Sequence, residues 1–229
     1  MHTLTHFRLC PHSRSIRLLL GEIALDVSLS EERPWEYRPE FLALNPAGDL
    51  PVLVIDRGPA LCGAYSISEY IAEELRLHPT AGRPPPLFPG NREERAEVRR
   101  LVDWFHGKFA REVSRDLLEE KVYRGYRSGG APDATILRAV RANLRYHMSY
   151  IGYLAHHRRW LAGDDMSFAD LAAAAHLSAA DYLGEVPWED YEAAKQWYAR
   201  VKSRPAFRPL LADRVSGTPA PLHYTNLDF

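Results

Sequence analysis

Asn45-Pro46-Ala47-Gly48-Asp49-Leu50-Pro51-Val52-Leu53 joins a glycine turn to a proline at the mouth of an apolar run. The run continues to Ile55 and has the short, valine-rich character of a buried strand. A proline that opens such a strand directly after a turn is a candidate cis-proline. Upstream, Leu4 to Leu9 reads as a strand, residues 13–21 as a helix with Ile16, Leu19 and Leu20 at helical spacing, and Leu25 to Leu29 as a second strand. Downstream, Arg57-Gly58 offers a turn, 59–61 a return strand, and Ile67, Ile71 and Leu75 mark a helix ending near Leu77. Short strands alternating with helices in this way predict a small α/β domain over residues 1–78.

The character of the chain then changes. Residues 79–91 are rich in proline and predict a semi-rigid linker, since proline is excluded from helix interiors. Residues 92–215 read as all-helical. Candidates run from Arg92 to Leu118, Ala134 to His156, Phe168 to Leu183 and Tyr191 to Lys202. Residues 216–229 carry two prolines and no helical period, and predict a tail.

Composition narrows the function classes. Of 229 residues, 46% are apolar and 26% charged, which fits a globular chain and excludes a disordered one. Twenty-nine Lys and Arg against 30 Asp and Glu leave a net charge of -1, which argues against nucleic-acid binding. Neither a membrane span nor a signal peptide is expected. Only Cys10 and Cys62 are present, as expected in a reducing cytoplasm. His156 and His157 are adjacent and lack the i, i+4 spacing of a metal-binding pair, so no metal is expected.

Two further motifs matter. Cys10-Pro11-His12-Ser13-Arg14 places a cysteine immediately before a helix, where unpaired N–H groups favour its thiolate. Gly163-Asp164-Asp165-Met166-Ser167-Phe168-Ala169-Asp170-Leu171 sets Ser167 as a helix N-cap and Asp170 as its partner in an acidic capping box. Taken together with the proline loop, these motifs resemble the cytosolic glutathione S-transferase superfamily over roughly residues 4 to 210. The resemblance implies a thioredoxin-like N-terminal domain, an all-α C-terminal domain, and a loop at Leu50-Pro51 that presents backbone groups to the cysteinyl part of glutathione. Relatives that bind glutathione carry Glu-Ser before the third helix. Here that pair falls on Gly63 and Ala64, whose side chains form no hydrogen bond. Losing hydrogen bonds to a charged group costs about 1.5–3 kcal/mol each, so the groove at Cys10, Leu50, Pro51, Gly63 and Ala64 is expected to be vestigial, with no cofactor.

Within the superfamily, the opening HFRLCPHSRSIRLLLGE, the EERPW segment and the NPAGDLPVL loop resemble the glutathione S-transferase-like division proteins of alphaproteobacteria. That resemblance implies a non-catalytic cytoplasmic homodimer at the division site, bound to filaments of the tubulin homologue FtsZ and promoting constriction. Three features are candidate partner surface. Trp35 stands among charges at 31–38. Arg138, Arg141 and Arg145 share one helical face within a stretch, 134–163, that has no acid. Asp228 and Phe229 end the tail. Arg14 and Arg17 either serve an anionic ligand or are paired or solvated. Two alternatives stay open: a glutathione-dependent thiol transferase using Cys10, and a stress-response adaptor on transcription machinery.

Overall fold

The computed structural model describes residues 2–77 and 87–227. Four strands form one sheet: β1 (Thr3–His6), β2 (Ser28–Glu31), β3 (Val52–Val54) and β4 (Ala60–Cys62), in the order β2-β1-β3-β4. β1 and β2 run parallel, with Leu4 opposite Leu29. They are joined through the crossover helix α1 (Pro11–Glu22), as parallel pairing requires. β3 is antiparallel to both β1 and β4, placing Leu53 between Leu4 and Leu61. Leu4, Val52 and Leu53 are wholly buried. Helices α2 (Pro39–Leu44) and α3 (Ala64–Leu77) complete this unit.

The loop before β3 holds the predicted cis peptide, between Leu50 and Pro51. Asn45 shapes it: its amide donates to the Asp49 carbonyl at 2.8 Å and its carbonyl oxygen accepts from Ala47 N at 3.2 Å. Gly48 supplies the left-handed residue of the turn, at φ +70°.

Two strand boundaries differ from the sequence expectation, for local reasons. Phe7 and Leu9 are buried, which gave their segment its strand-like look, but Cys10 N closes a turn on the Phe7 carbonyl at 3.0 Å and starts α1. Leu25 N bonds back to Leu20 O at 3.0 Å, so it belongs to the end of α1 and β2 begins later.

The second layer is helical. α4 (Arg92–Asp103) opens on a reciprocal capping box between Asn91 and Glu94. It runs without a break through a wider π-helical stretch (Trp104–Ser114), α5 (Arg115–Leu118), a second π-helical stretch (Glu119–Tyr123) and α6 (Arg124–Arg127). This helix is longer than the predicted 92–118. α7 (Ala134–His157) is capped by the Asp133 carboxylate. α8 (Phe168–Tyr182) is buried along its entire length. α9 (Glu192–Lys202) packs against α7 and α8, and the short α10 (Arg208–Leu211) follows it.

The small residues Ala172 to Ala175 sit in the middle of α8, the helix against which α1 packs. At the other end of α1, a Cβ on Gly21 would lie 2.9 Å from that of Ala206, so only glycine permits this approach. Of the expected linker, 78–86 lie outside the described residues. Leu87 and Phe88 are buried, and Leu87 O accepts from Phe168 N at 2.8 Å. The expected tail is anchored: Leu222–Thr225 forms a short helical turn whose Tyr224 is fully buried. Among the described residues, no helix is long and apolar enough to cross a membrane.

Candidate functional site

Cys10 is the N-cap residue of α1, with Pro11 fixing the first turn. Its sulfur lies 4.0 Å from the Leu50 carbonyl, so the cis-proline loop and the α1 N-terminus share one rim. Across from them, Gly63 N donates to Pro51 O at 2.9 Å, which brings the start of α3 to the same place. The five groove residues expected from sequence are therefore neighbours. Cys10, Leu50, Gly63 and Ala64 line a cavity of about 560 Å³ between the two layers. Its far wall comes from the helical layer, including His106, Arg111, Arg115 and Tyr123. The groove is open.

The rim has the electrostatics of a reactive thiol. Burial pushes the Cys10 thiol up, but the hydrogen bond and charge of His12, and the hydroxyl and N–H of Ser13, outweigh it and hold the thiol below its ordinary range. His12 responds in the opposite sense. Burial lowers it, yet its hydrogen bond to the Cys10 thiolate and the attached charge raise it overall. Cys10 and His12 thus each favour the charged form of the other.

The α3 side offers no such chemistry. Gly63 has φ +87° and no side chain, and Ala64 is buried. The nearby Ser66 hydroxyl turns back onto the carbonyls of Cys62 and, at 3.1 Å, Gly63. No side chain of the pair accepts or donates a hydrogen bond where relatives place Glu-Ser.

The sequence reading missed what lies behind Cys10. His12, His106 and His176 converge, with one ring nitrogen from each within 4.8 Å of the others. His106 Nδ1 is 3.1 Å from His176 Nε2, His12 stacks on His106 at 4.6 Å, and His12 Nε2 is 3.2 Å from the His106 carbonyl. Burial drives both His106 and His176 well below the ordinary histidine range, with smaller pushes from His12 on His106 and from His106 and then His12 on His176. The three residues are 94 and 70 positions apart, so no spacing rule could have joined them.

The remaining candidates lie elsewhere. Trp35 does not stand free among charges. It is half-buried, 4.6 Å from Tyr123, 5.3 Å from Tyr126 and edge-on to Phe7 at 5.1 Å, and so joins the sheet unit to the helical layer. Arg138, Arg141 and Arg145 are exposed on α7, as their spacing predicts. Arg141 is not unpaired: it holds Glu185 with bonds of 2.7 and 3.0 Å. Asp228 and Phe229 lie outside the described residues. Ser167 and Asp170 form the predicted cap, and Asp170 does more than cap. Its carboxylate accepts from Ser167 N (3.0 Å), Leu161 N (2.9 Å) and Trp197 Nε1 (2.9 Å).

Comparison with known proteins agrees with this architecture. The family model for the glutathione S-transferase N-terminal domain matches residues 4–79, and that for the C-terminal domain matches residues 115–205. FtsZ-localized protein A of Caulobacter vibrioides is 49% identical over 230 residues, covering 99% of this chain and 98% of that one. A crystal structure described as a glutathione S-transferase from Sinorhizobium meliloti aligns with a TM-score of 0.94 at 50% identity, covering both chains fully. FzlA from C. crescentus aligns with a TM-score of 0.93 at 48% identity, covering 100% of this chain and 99% of that one. With both family domains in order, a cis-proline loop at the groove and a buried capping box behind it, this chain belongs to the glutathione S-transferase superfamily.

Proposed function

We propose that this protein binds FtsZ filaments at the division site, using a glutathione S-transferase fold without transferring glutathione. The observation that carries this reading is the end-to-end 49% identity with a protein named for its localisation to FtsZ. The chemistry of α3 supports it, because Gly63-Ala64 gives no side-chain anchor to the charged end of the tripeptide. We place the filament-facing surface on α7. Arg138 and Arg145 are exposed there and form no ion pair among the described residues, so their charge is available to an acidic partner. Promotion of constriction in the cytoplasm follows most simply from a homodimer, since two identical sites on a two-fold axis bridge neighbouring filaments and gain effective concentration.

Co-sedimentation with assembled FtsZ tests the reading. The protein should pellet with filaments, and the double variant Arg138→Glu, Arg145→Glu should remain in the supernatant while keeping its melting temperature. No pelleting of the unaltered protein would refute filament binding. Unchanged pelleting of the variant would remove α7 from the interface.

One observation favours a second reading, glutathione-dependent thiol transfer: the Cys10–His12 pair faces an open cavity. Calorimetry with reduced glutathione separates the two. Tight stoichiometric uptake, with thiol-transfer activity lost in Cys10→Ala, would favour the enzyme.

A further inference from the structure

The convergence of His12, His106 and His176 assigns a role beyond filament binding. We propose that these three side chains form a binding site for a Zn²⁺-class divalent cation at the floor of the groove, joining the two layers of the fold. Two nitrogens on a tetrahedral zinc, each bonded at about 2.0–2.1 Å, stand about 3.3 Å apart. His106 Nδ1 and His176 Nε2 are already 3.1 Å apart, a spacing one ion can bridge once the shared proton leaves His176 Nε2 and that ring takes its Nδ1–H tautomer. His12 supplies the third nitrogen from within 4.8 Å, and side-chain rotation closes that gap.

The outer partners are those that metal-bound histidines use. The far nitrogen of His176, Nδ1, is 2.7 Å from Ser114 Oγ, and the far nitrogen of His106, Nε2, is 3.3 Å from Ser15 Oγ. Ser15 Oγ donates its own proton to the His12 carbonyl at 2.8 Å, so it accepts from His106 Nε2–H. That fixes the His106 tautomer with a bare lone pair on Nδ1, facing the proposed ion. Ser114 accepts from His176 Nδ1–H in the metal-bound form and leaves Nε2 bare in the same way. Entry is open, because His12 and His106 both line the cavity. Three imidazoles suit zinc, copper or nickel better than magnesium or calcium. They come from α1, the π-helical segment and α8, so a bound ion ties the sheet unit to the helical layer.

Cobalt titration tests the site, in a His156→Ala, His157→Ala background that removes the exposed pair on α7. One Co²⁺ per chain should give a saturable visible band, and Zn²⁺ should abolish it. His176→Gln should weaken binding by more than about a hundredfold, beyond the loss expected from an outer partner. Ser114→Ala, which keeps all three ligands, should weaken it by roughly tenfold. No saturable band, or an undiminished band in folded His176→Gln, would overturn the proposal. So would binding that vanishes in Cys10→Ser yet survives in His176→Gln, since the site would then be a thiolate one. If circular dichroism shows His176→Gln to be unfolded, Ser114→Ala and Ser15→Ala carry the test, and unchanged affinity in both rejects the site.

Discussion

Arg17 grips Asp213 with two parallel bonds, Nη1 to Oδ2 at 2.8 Å and Nη2 to Oδ1 at 3.0 Å, and Arg14 adds a third to the same carboxylate at 3.2 Å. All three side chains are buried, on opposite sides of the boundary between the sheet unit and the helical layer. Two guanidinium groups on the first turns of α1 run against the helix dipole. Their purpose is this lock and not an anionic ligand. Arg14 also donates to Ser178 Oγ at 2.8 Å and Tyr224 Oη at 3.1 Å, which brings α8 and the C-terminal turn into the same network.

Removing the shared acceptor strands two buried cations. Asp213→Ala should therefore destabilise the fold by about 3–5 kcal/mol. Urea denaturation measures it. A loss under about 1 kcal/mol would mean that water reaches the network and that the pair behaves as a surface one.

The thiol at the groove should betray its partner. Alkylation of Cys10 by iodoacetamide should begin at lower pH than alkylation of Cys62, whose thiol burial pushes up. His12→Asn should move the Cys10 profile to higher pH and leave that of Cys62 in place. Mass spectrometry of the two alkylated peptides reads both. Coincident profiles for Cys10 and Cys62 would remove the coupling between Cys10 and His12.

His6 makes the fold sensitive to mild acid. Burial, and then the charge of Arg17, push its pKa down to about 4 from an ordinary 6.5, against an opposing pull from Asp213. Arg8 and Arg14 act in the same direction as Arg17. Between those values the unfolded chain binds more protons than the folded one, so stability is complete above the unfolded pKa and is lost as pH falls towards the folded one. Protonation of this one ring removes about 3 kcal/mol across that window. His106 and His176 are depressed too and add to the slope. The Nδ1 atom of His6 is buried without a hydrogen-bond partner, so His6→Leu should fold and flatten the pH dependence of the urea midpoint. An equal slope in that variant would place the titration elsewhere.

Asp170 gathers three N–H donors in a fully buried position. Asp170→Ala leaves them unpaired at about 1–3 kcal/mol each, so the total exceeds the ~1 kcal/mol of a simple cap. Thermal unfolding should show a loss well above that of Ser167→Ala. Equal losses would reduce Asp170 to a capping role.

Trp35 is a poor probe of a partner surface. It packs on Phe7, Tyr123 and Tyr126, so Trp35→Ala should cost about 2 kcal/mol or more in stability. Weaker filament binding by that variant would have to be read beside its melting curve. An unchanged melting temperature would return Trp35 to the list of free surface anchors.

What was legible in the sequence was local. The cis peptide before Pro51 follows from a glycine turn meeting a strand, and the Ser167–Asp170 cap from residues three apart. Long-range relations were not legible. Arg14 and Arg17 find their acceptor some 199 and 196 positions away, and the acid-free stretch on α7 meets Glu185 across 44. A tryptophan among charges looks exposed until the aromatic residues of a distant helix close over it. Buried residues in a turn, such as Phe7 and Leu9, carry the same apolar signal as a strand.

Among the described residues, Tyr224 is the last fully buried side chain, its hydroxyl donating to Leu210 O at 3.0 Å while Arg14 donates to it. The last described turn is thereby fastened to α1, and shortening the chain before Tyr224 would take a buried acceptor from Arg14.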